Sequence, residues 1–427
     1  MSEGFQGTDR FQLLDRVGAG GSGLVYLAHD RKHKVEVALK TLHRESPYGI
    51  LRLKNEFRSL AEVAHPNLAK LHDLHHEANT WFFTMEYIQG VDFIDWVRPG
   101  MHPTGQAPLD MSRLRSALEQ LVLGVSAIHM AGHLHRDIKP SNLMVEGDGR
   151  VVILDFGLAT RFDQIDIRDI RGFSGTLEYM APEQTDGGDP LPASDWYSVG
   201  VVLYQALTGQ LPFQGKPLQV AINKKQNDGP SPSLINPNVP PDLNELCEGL
   251  LRCAPGQRFE DDEIFAILGI EPDESIMLQR GSSSLSTMPR LIGRESHMGA
   301  LVSALGEVSN GRTVLCSVHG QSGMGKSALV RYFIYPLKKR PDTLIIRGRC
   351  YEREVVPYNA FDSVFDDLTR QLAAMPSDDV ASLIPKNIAA LTRLFPVLLN
   401  VPEISVAVSA HSGIQEALTS RQAAFEA

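Results

Sequence analysis

Two glycine-rich loops of different design occur in this one chain. "RVGAGGSGLVYLA" (residues 16–28) runs from its glycines into a strand-like stretch, whereas "GQSGMGKS" (320–327) follows the apolar run "RTVLCSVHG" and opens a helical pattern, "KSALVRYFIYPL". Glycine serves both because a Cβ would block close approach of the backbone to a ligand. A loop that re-enters a sheet and a loop that opens a helix point to two separate folding units. At 427 residues the chain is long enough for two or three domains. The tract "EPDESIMLQRGSSSLSTMPR" (271–290) has linker composition and marks a boundary.

Upstream of that tract, residues 9 to 95 hold short β-branched and aromatic runs, "VEVALKTL" and "WFFTMEYI", around one helical stretch, "LRLKNEFRSLAEVA". From about 111 to 265 the long segments are helical, interrupted by the extended pair "NLMVEG" and "VVILDFG". "RPGMHPTGQAP" between them, rich in Pro and Gly, reads as a surface insertion.

Four further motifs follow the first loop in order: "VALK" ending in Lys40, "HRDIKPSN" with Asp137, Lys139 and Asn142, "DFG" with Asp155, and "APE" with Glu183. Gly18, Gly20, Gly23 and Val25 have the spacing G-x-G-x-x-G-x-V. A Rossmann turn shares the glycines but leads into a helix, and here "LVYLAHD" continues as a strand. A lysine at a strand end suits phosphate. Asn142 and Asp155 are oxygen donors suited to Mg2+, and Asp137 is left to orient a hydroxyl.

Five motifs in this order resemble the eukaryotic-type Ser/Thr protein kinases over roughly residues 9 to 265. The resemblance implies an α+β bilobal kinase fold, with a small lobe at 9–90 and a large lobe at 91–265 after a tail at 1–8. It implies that Val17, Gly18, Ala19, Gly20, Gly21, Ser22 and Gly23 cover the ATP phosphates, and that Val25 and Ala38 join them in the nucleotide site. Lys40 is expected to pair with Glu56, a placement resting on spacing from "HPN". Met85 takes the gatekeeper position, and the backbone of Glu86 and Ile88 the adenine edge. Asp137 is the catalytic carboxylate, Lys139 its Ser/Thr-type partner, and Asn142 and Asp155 the metal ligands. Glu183 with Arg258, and Asp195, resemble the family's structural anchors. Arg136 before Asp137 implies control by a phosphorylated segment, for which Ser174 is the preferred site and Thr176 a second hydroxyl. Thr176 and Lys139 also resemble the Ser/Thr-specific pattern.

The downstream loop matches G-x-x-x-x-G-K-[ST] over Gly320, Gln321, Ser322, Gly323, Met324, Gly325, Lys326 and Ser327. Backbone N–H groups and a helix N-terminus would cradle phosphates, with Lys326 on the terminal ones and Ser327 on Mg2+. The flanks predict a strand, loop, helix, strand unit, the last strand being "TLIIRG". Hydrolysis needs an acidic strand as well. Asp366 and Asp367 in "YNAFDSVFDDLTRQL" instead repeat at helical spacing and read as exposed carboxylates of an amphipathic helix. "LIGRESHMGALVSAL" and "RGRCYEREVVPYNAFDSVFDDL" resemble the AAA-type module of STAND regulatory ATPases, which implies a partial α/β P-loop NTPase domain at 291–427 after a linker at 266–290. "GIQEALTSRQAAFEA" ends within a helical pattern, so the domain is expected to be truncated.

A formal net charge of −10 argues against a nucleic-acid partner. The four cysteines include no CxxC pair, which makes a disulfide framework or zinc cluster improbable. The histidine groups 72, 75, 76 and 129, 133, 135 lack closed-site partners. No signal peptide or run of about 20 apolar residues is found, so a cytoplasmic chain with no membrane segment is expected. The expectation is therefore an ATP- and Mg2+-dependent protein Ser/Thr kinase in signal transduction. ATP is expected at two sites, with protein substrates and self-association through the ATPase module. The alternative is a pseudokinase scaffold, whose mark would be loss of Lys40, Asp137 or Asp155; all three are present.

Overall fold

The computed structural model describes residues 5–20, 23–42, 46–61, 63–77, 80–100, 108–154, 177–186, 191–271, 293–321, 324–338, 340 and 342–411. Two compact units divide the chain: residues 1–273 together with 350–427, and residues 274–349.

The first unit begins with strands β1 (Phe11–Gly20), β2 (Gly23–Asp30) and β3 (Val35–Thr41), helix α1 (Pro47–Ala61), and strands β4 (Leu71–Glu77) and β5 (Thr80–Glu86). The sheet order is β1-β2-β3-β5-β4, all antiparallel. Side-chain alternation along β3 sorts its two faces. Val37 and Leu39 join Phe11, Ala28 and Phe82 in an outer cluster, while Ala38 joins the main core with Phe57, Phe83 and Met85. Helix α1 starts where its sequence permits: Ser46 Oγ accepts from Gly49 N at 3.0 Å, and Pro47 occupies the first turn, where no N–H is needed. Ile50, Leu53 and Phe57 form its buried apolar stripe.

The larger half contains β6 (Gly90–Asp92), α2 (Phe93–Val97), α3 (Met111–Met130), β7 (Leu143–Glu146), β8 (Val151–Ile153), α4 (Pro192–Thr208), α5 (Pro217–Gln226), α6 (Pro241–Leu250) and α7 (Asp261–Leu268). The strands make a small antiparallel sheet beside the helices. Asp110 caps α3 by accepting from Arg113 N at 3.0 Å. Helix α4 is buried over almost its whole length and stops at Gly209, whose φ of 76° gives a left-handed C-terminal cap. The Pro/Gly-rich insertion is exposed at Pro99, Gly100 and Pro108, and it is anchored at its start by Arg98, which is buried and donates to Ala206 O (2.6 Å) and Leu207 O (3.0 Å), the orphan carbonyls at the end of α4. Residues 101–107 lie outside the described residues.

Residues 350–411 of this unit supply β9 (Glu354–Val355), which extends the first sheet by pairing parallel to β4. After the second unit's helices α8 (Glu295–Ser309) and α9 (Lys326–Leu337), this segment supplies α10 (Asn359–Ala373), α11 (Ser377–Leu383), α12 (Ile388–Leu394) and α13 (Pro402–His411). Phe365 and Phe395 stack at 3.9 Å, and the turn Pro396–Asn400 packs on α1. Strand β9 and α10 thus bury surface in the same compact unit as the first sheet. The helical reading of "FDSVFDDL" holds, but its carboxylates are not all exposed: Asp362 and Asp366 are buried against cations of α1.

In the second unit the described elements are α8 (Glu295–Ser309) and α9 (Lys326–Leu337). The helix opening after the glycine loop is where the sequence places it. The flanking runs 312–321 and 343–349, expected as strands, enter no ladder among the described residues. Parallel strands gain stability only inside a sheet covered on both faces, and in this unit both runs remain largely exposed. Among the described residues of the chain no helix is long and apolar enough to cross a membrane.

Candidate active site

The turn between β1 and β2 is held by the pairs Gly18↔Val25, Ala19↔Leu24 and Gly20↔Gly23, with Gly21 and Ser22 outside the described residues. The glycines differ in their reasons. A Cβ on Gly23, where φ is 150°, would meet Thr41 O at 2.1 Å, so packing of β2 on β3 demands glycine there. A Cβ on Gly18 would make only ordinary contact with Val25 at 3.6 Å, so the fold does not demand it. Register aligns Val25 with Lys40 and Ala38 with Met85, and Val17 is half exposed at the mouth of the turn. Glu86 donates its backbone N–H to Lys70 O (2.9 Å), and its side chain takes Arg150 (2.7 Å), so an adenine edge would use its carbonyl. Ile88 is buried beside Ala69 and Val152.

Lys40 Nζ lies 2.5 Å from Glu56 Oε1, both residues almost completely buried. Strand β3 supplies the lysine on its core face, and the apolar stripe of α1 seats the helix so that the carboxylate reaches it. Two charges out of water are tolerable only as a pair, and removing one partner costs about 3–5 kcal/mol.

Between α3 and β7 the loop carrying "HRDIKPSN" adopts a costly shape. Arg136 has φ of 69°, a left-handed conformation rare outside glycine. The carboxylate of Asp195, on α4, holds that shape: it accepts from His135 N (2.8 Å) and Arg136 N (2.7 Å) and contacts His129 Nε2 (2.8 Å). Burial alone would raise the Asp195 pKa, but the His129 bond and the backbone N–H groups bring it below the ordinary carboxylate value. Beyond this anchor, Lys139 Nζ donates to Asp137 Oδ2 at 2.7 Å, and Asn142 Nδ2 donates to Asp137 Oδ2 (3.0 Å) and Asp137 O (2.7 Å). Asp137, Lys139 and Asn142 are therefore brought together. With its amide nitrogen so engaged, Asn142 turns its Oδ1 away from Asp137, which fits a metal-binding oxygen. His135 Nε2 contacts Leu154 O (3.0 Å), the residue before Asp155. Asp155 itself, Ser174 and Thr176 lie outside the described residues.

Glu183 and Arg258 form a two-pronged pair (2.7 and 2.8 Å), and Arg258 also donates to the carbonyls of Arg252, Ala193 and Cys253. Sequence reasoning missed Lys224 of α5. Its buried amine donates to the carbonyls of Leu177, Glu178 and Met180, just before "APE". Burial pushes that amine down to about 7. Nothing in "INKKQ" distinguishes it from a solvated lysine. Of the histidine groups, His75 stacks on Phe82 (5.0 Å) and His76 on Trp81 (4.7 Å), while His129 and His135 serve the catalytic-motif loop through the hydrogen bonds above.

In the second unit, Lys326 Nζ donates to Gly320 O (2.9 Å) and Gln321 O (2.8 Å), and Arg294 donates to Met324 O (2.8 Å). Gly320 and Gly325 have φ of 156° and 79°, and Gly325 stands immediately before α9, with Ser327 in its first turn. Ser322 and Gly323 lie outside the described residues.

Comparison with known proteins gives this geometry its family. The protein kinase domain family matches residues 11–267, more than half of the chain. The chain belongs to the protein kinase family. Residues 290–424 match the AAA ATPase domain, so a kinase domain of sheet-rich and helical lobes is followed by a P-loop ATPase-type domain. Among curated relatives, serine/threonine-protein kinase PrkC of Bacillus subtilis is 32% identical over 258 residues, covering 60% of this chain and 39% of that protein. Serine/threonine-protein kinase PknA of Mycobacterium tuberculosis is 34% identical over 265 residues, 60% of each. The chain thus spans less than two thirds of the length of either relative.

Proposed function

We propose that the chain is an ATP-dependent protein kinase that transfers the γ-phosphoryl group to Ser or Thr hydroxyls of proteins, acting in signal transduction in the cytoplasm. The observation that carries this reading is the joint state of the two halves: the Lys40–Glu56 pair is closed while Asp137, Lys139 and Asn142 stand in mutual hydrogen-bond contact. A scaffold that only binds nucleotide has no need of the second cluster.

In this reading the glycine turn covers the phosphates, Lys40 holds the α- and β-phosphates with Glu56 fixing its ammonium, and Val25, Ala38 and Met85 face the base. Mg2+, held by Asn142 and Asp155, would neutralise phosphate charge. Asp137 aligns the acceptor hydroxyl for in-line attack, and its second oxygen, Oδ1, has no hydrogen bond among the described residues, which leaves it for the hydroxyl proton. Lys139 stabilises the charge developing on the transferred group. Ser174 is the proposed regulatory phosphosite, with Thr176 as part of the Ser/Thr acceptor site or a second phosphosite. The P-loop domain binds a second ATP through Gly320–Ser327 and acts as a nucleotide-dependent switch on self-association and kinase output.

The decisive experiment is transfer of labelled γ-phosphate by the full chain to itself and to a basic protein, with Asp137→Asn and Lys326→Ala in parallel. Label lost with Asp137→Asn and kept with Lys326→Ala supports the assignment. Mg-ATP binding without transfer, even after activation by another kinase, sinks it in favour of the scaffold.

A further inference from the structure

Helix α1 presents two charged faces to different partners. Glu56 meets Lys40. Lys54 and Arg58, one turn apart, lie roughly 160° around the helix axis from Glu56 at 100° per residue. Both are buried, and their partners come from residues about three hundred positions later. Lys54 Nζ donates to Asp362 Oδ1 (2.7 Å) and Asp366 Oδ1 (3.1 Å). Arg58 donates to Glu354 through Nε (2.5 Å) and Nη2 (3.0 Å), to Asp362 Oδ2 (2.7 Å) and to Asp366 Oδ2 (2.5 Å). Strand β9 adds to β4 at Leu74↔Glu354, and Leu74 N donates to Arg353 O at 2.9 Å.

Two cations and three carboxylates have left water together. Such a cluster persists only where every member is met by others, so withdrawal of α1 would strand buried charge on both sides. The helix contains Gly49 and has no acidic residue in its first turn, so its position depends on tertiary contacts more than on propensity. Its far face is gripped while its near face holds the catalytic lysine.

We infer that the segment Glu354–Ala373 is a built-in clamp on the kinase small lobe, in which Glu354, Asp362 and Asp366 are positioning residues that hold α1, through Lys54 and Arg58, where Glu56 meets Lys40. The effect on catalysis rests on the kinase reading above; the docking itself does not. The clamp gives the residues that follow the P-loop in the chain a direct hold on the kinase centre, with no separate partner protein.

The test uses the full chain with Asp362→Asn/Asp366→Asn and, as the conservative control, Asp362→Glu/Asp366→Glu. Two quantities are read: amide hydrogen exchange in residues 47–61 with α4 as internal reference, and kcat and KM for ATP in transfer to a protein acceptor. The clamp predicts that the Asn pair speeds exchange in α1 but not α4 and lowers kcat by about tenfold or more, equivalent to one or more steps of 1.36 kcal/mol. KM for ATP changes by less than about threefold, and the Glu pair recovers most of kcat. Faster α1 exchange with kcat within about twofold of the parent would overturn it, reducing the cluster to a packing seam; unchanged α1 exchange would overturn the docking. If α4 exchange also rises, the milder Glu354→Gln decides on the same readouts. Absence of transfer by the parent chain removes the kinase reading and with it the catalytic half of the inference, while the exchange comparison still decides the docking.

Discussion

At the scale of single residues, the same amino acid serves different masters, and the difference is measurable. Ala in place of Gly23 forces a Cβ to 2.1 Å from Thr41 O. An overpacked site costs about 1–3 kcal/mol, so Gly23→Ala is expected to lower Tm by roughly 5 °C. Gly18→Ala meets no such contact; it is expected to leave Tm within about 1 °C and to raise KM for ATP. Equal Tm losses in the two variants, measured calorimetrically, would contradict this division. The G-x-G-x-x-G spacing shows a phosphate-type turn in the sequence, but it cannot separate a glycine kept for a ligand from one kept for a neighbouring strand, because Thr41 reaches the turn only through strand pairing. Lys224 was illegible for the same reason. Burial pushes its amine down, yet three backbone carbonyls meet it, more acceptors than a neutral amine has N–H donors, so the geometry is that of an ammonium held by carbonyls. Lys224→Met should leave buried carbonyls unpaired, at about 1–3 kcal/mol each, and lower Tm; a Tm equal to that of the parent would contradict this anchor.

Elements add a constraint that no single residue carries. The loop carrying "HRDIKPSN" takes its left-handed Arg136 where α4 delivers Asp195 beneath it. Asp195→Asn keeps the volume but offers one acceptor oxygen where the carboxylate serves two backbone N–H groups and His129. One buried donor then loses its partner, at about 1–3 kcal/mol. The expected outcome is a lower Tm together with a kcat loss of at least about tenfold, while Mg-ATP affinity, measured by titration calorimetry, stays near that of the parent. An unchanged kcat would mean that the loop keeps its shape unaided. Helix α4 and the loop motif were each legible from pattern, since "SDWYSVG" and "HRDIKPSN" are recognisable runs. Helix α10 was legible as a helix and misread as to its surface. Hydrophobic periodicity reports which apolar residues face inward, and it is silent on carboxylates such as Asp362 and Asp366 whose cations lie on α1.

Across the whole molecule, two ATP-handling loops of unrelated design predict two independent nucleotide sites per chain. Lys40 works from a buried strand position with Glu56 as counter-ion, whereas Lys326 lies half-buried over the carbonyls of its own loop. Removing either cation should therefore abolish one site and leave the other. Equilibrium binding of a non-hydrolysable Mg-ATP analogue is expected to give two sites in the parent chain, one in Lys40→Met, one in Lys326→Ala and none in the double variant. The regulatory reading adds a sharper requirement, because residues 354–373 come after the P-loop and α9 in the chain and grip α1. Loading the analogue onto Lys40→Met, where only the P-loop site remains, should then alter hydrogen exchange in residues 354–373. The same loading of Lys326→Ala should not produce that change beyond what kinase-site binding itself contributes to α1. Two sites with no exchange response in residues 354–373 would leave two ATP-binding domains on one chain with no communication through the clamp, and the switch would have to act through assembly alone.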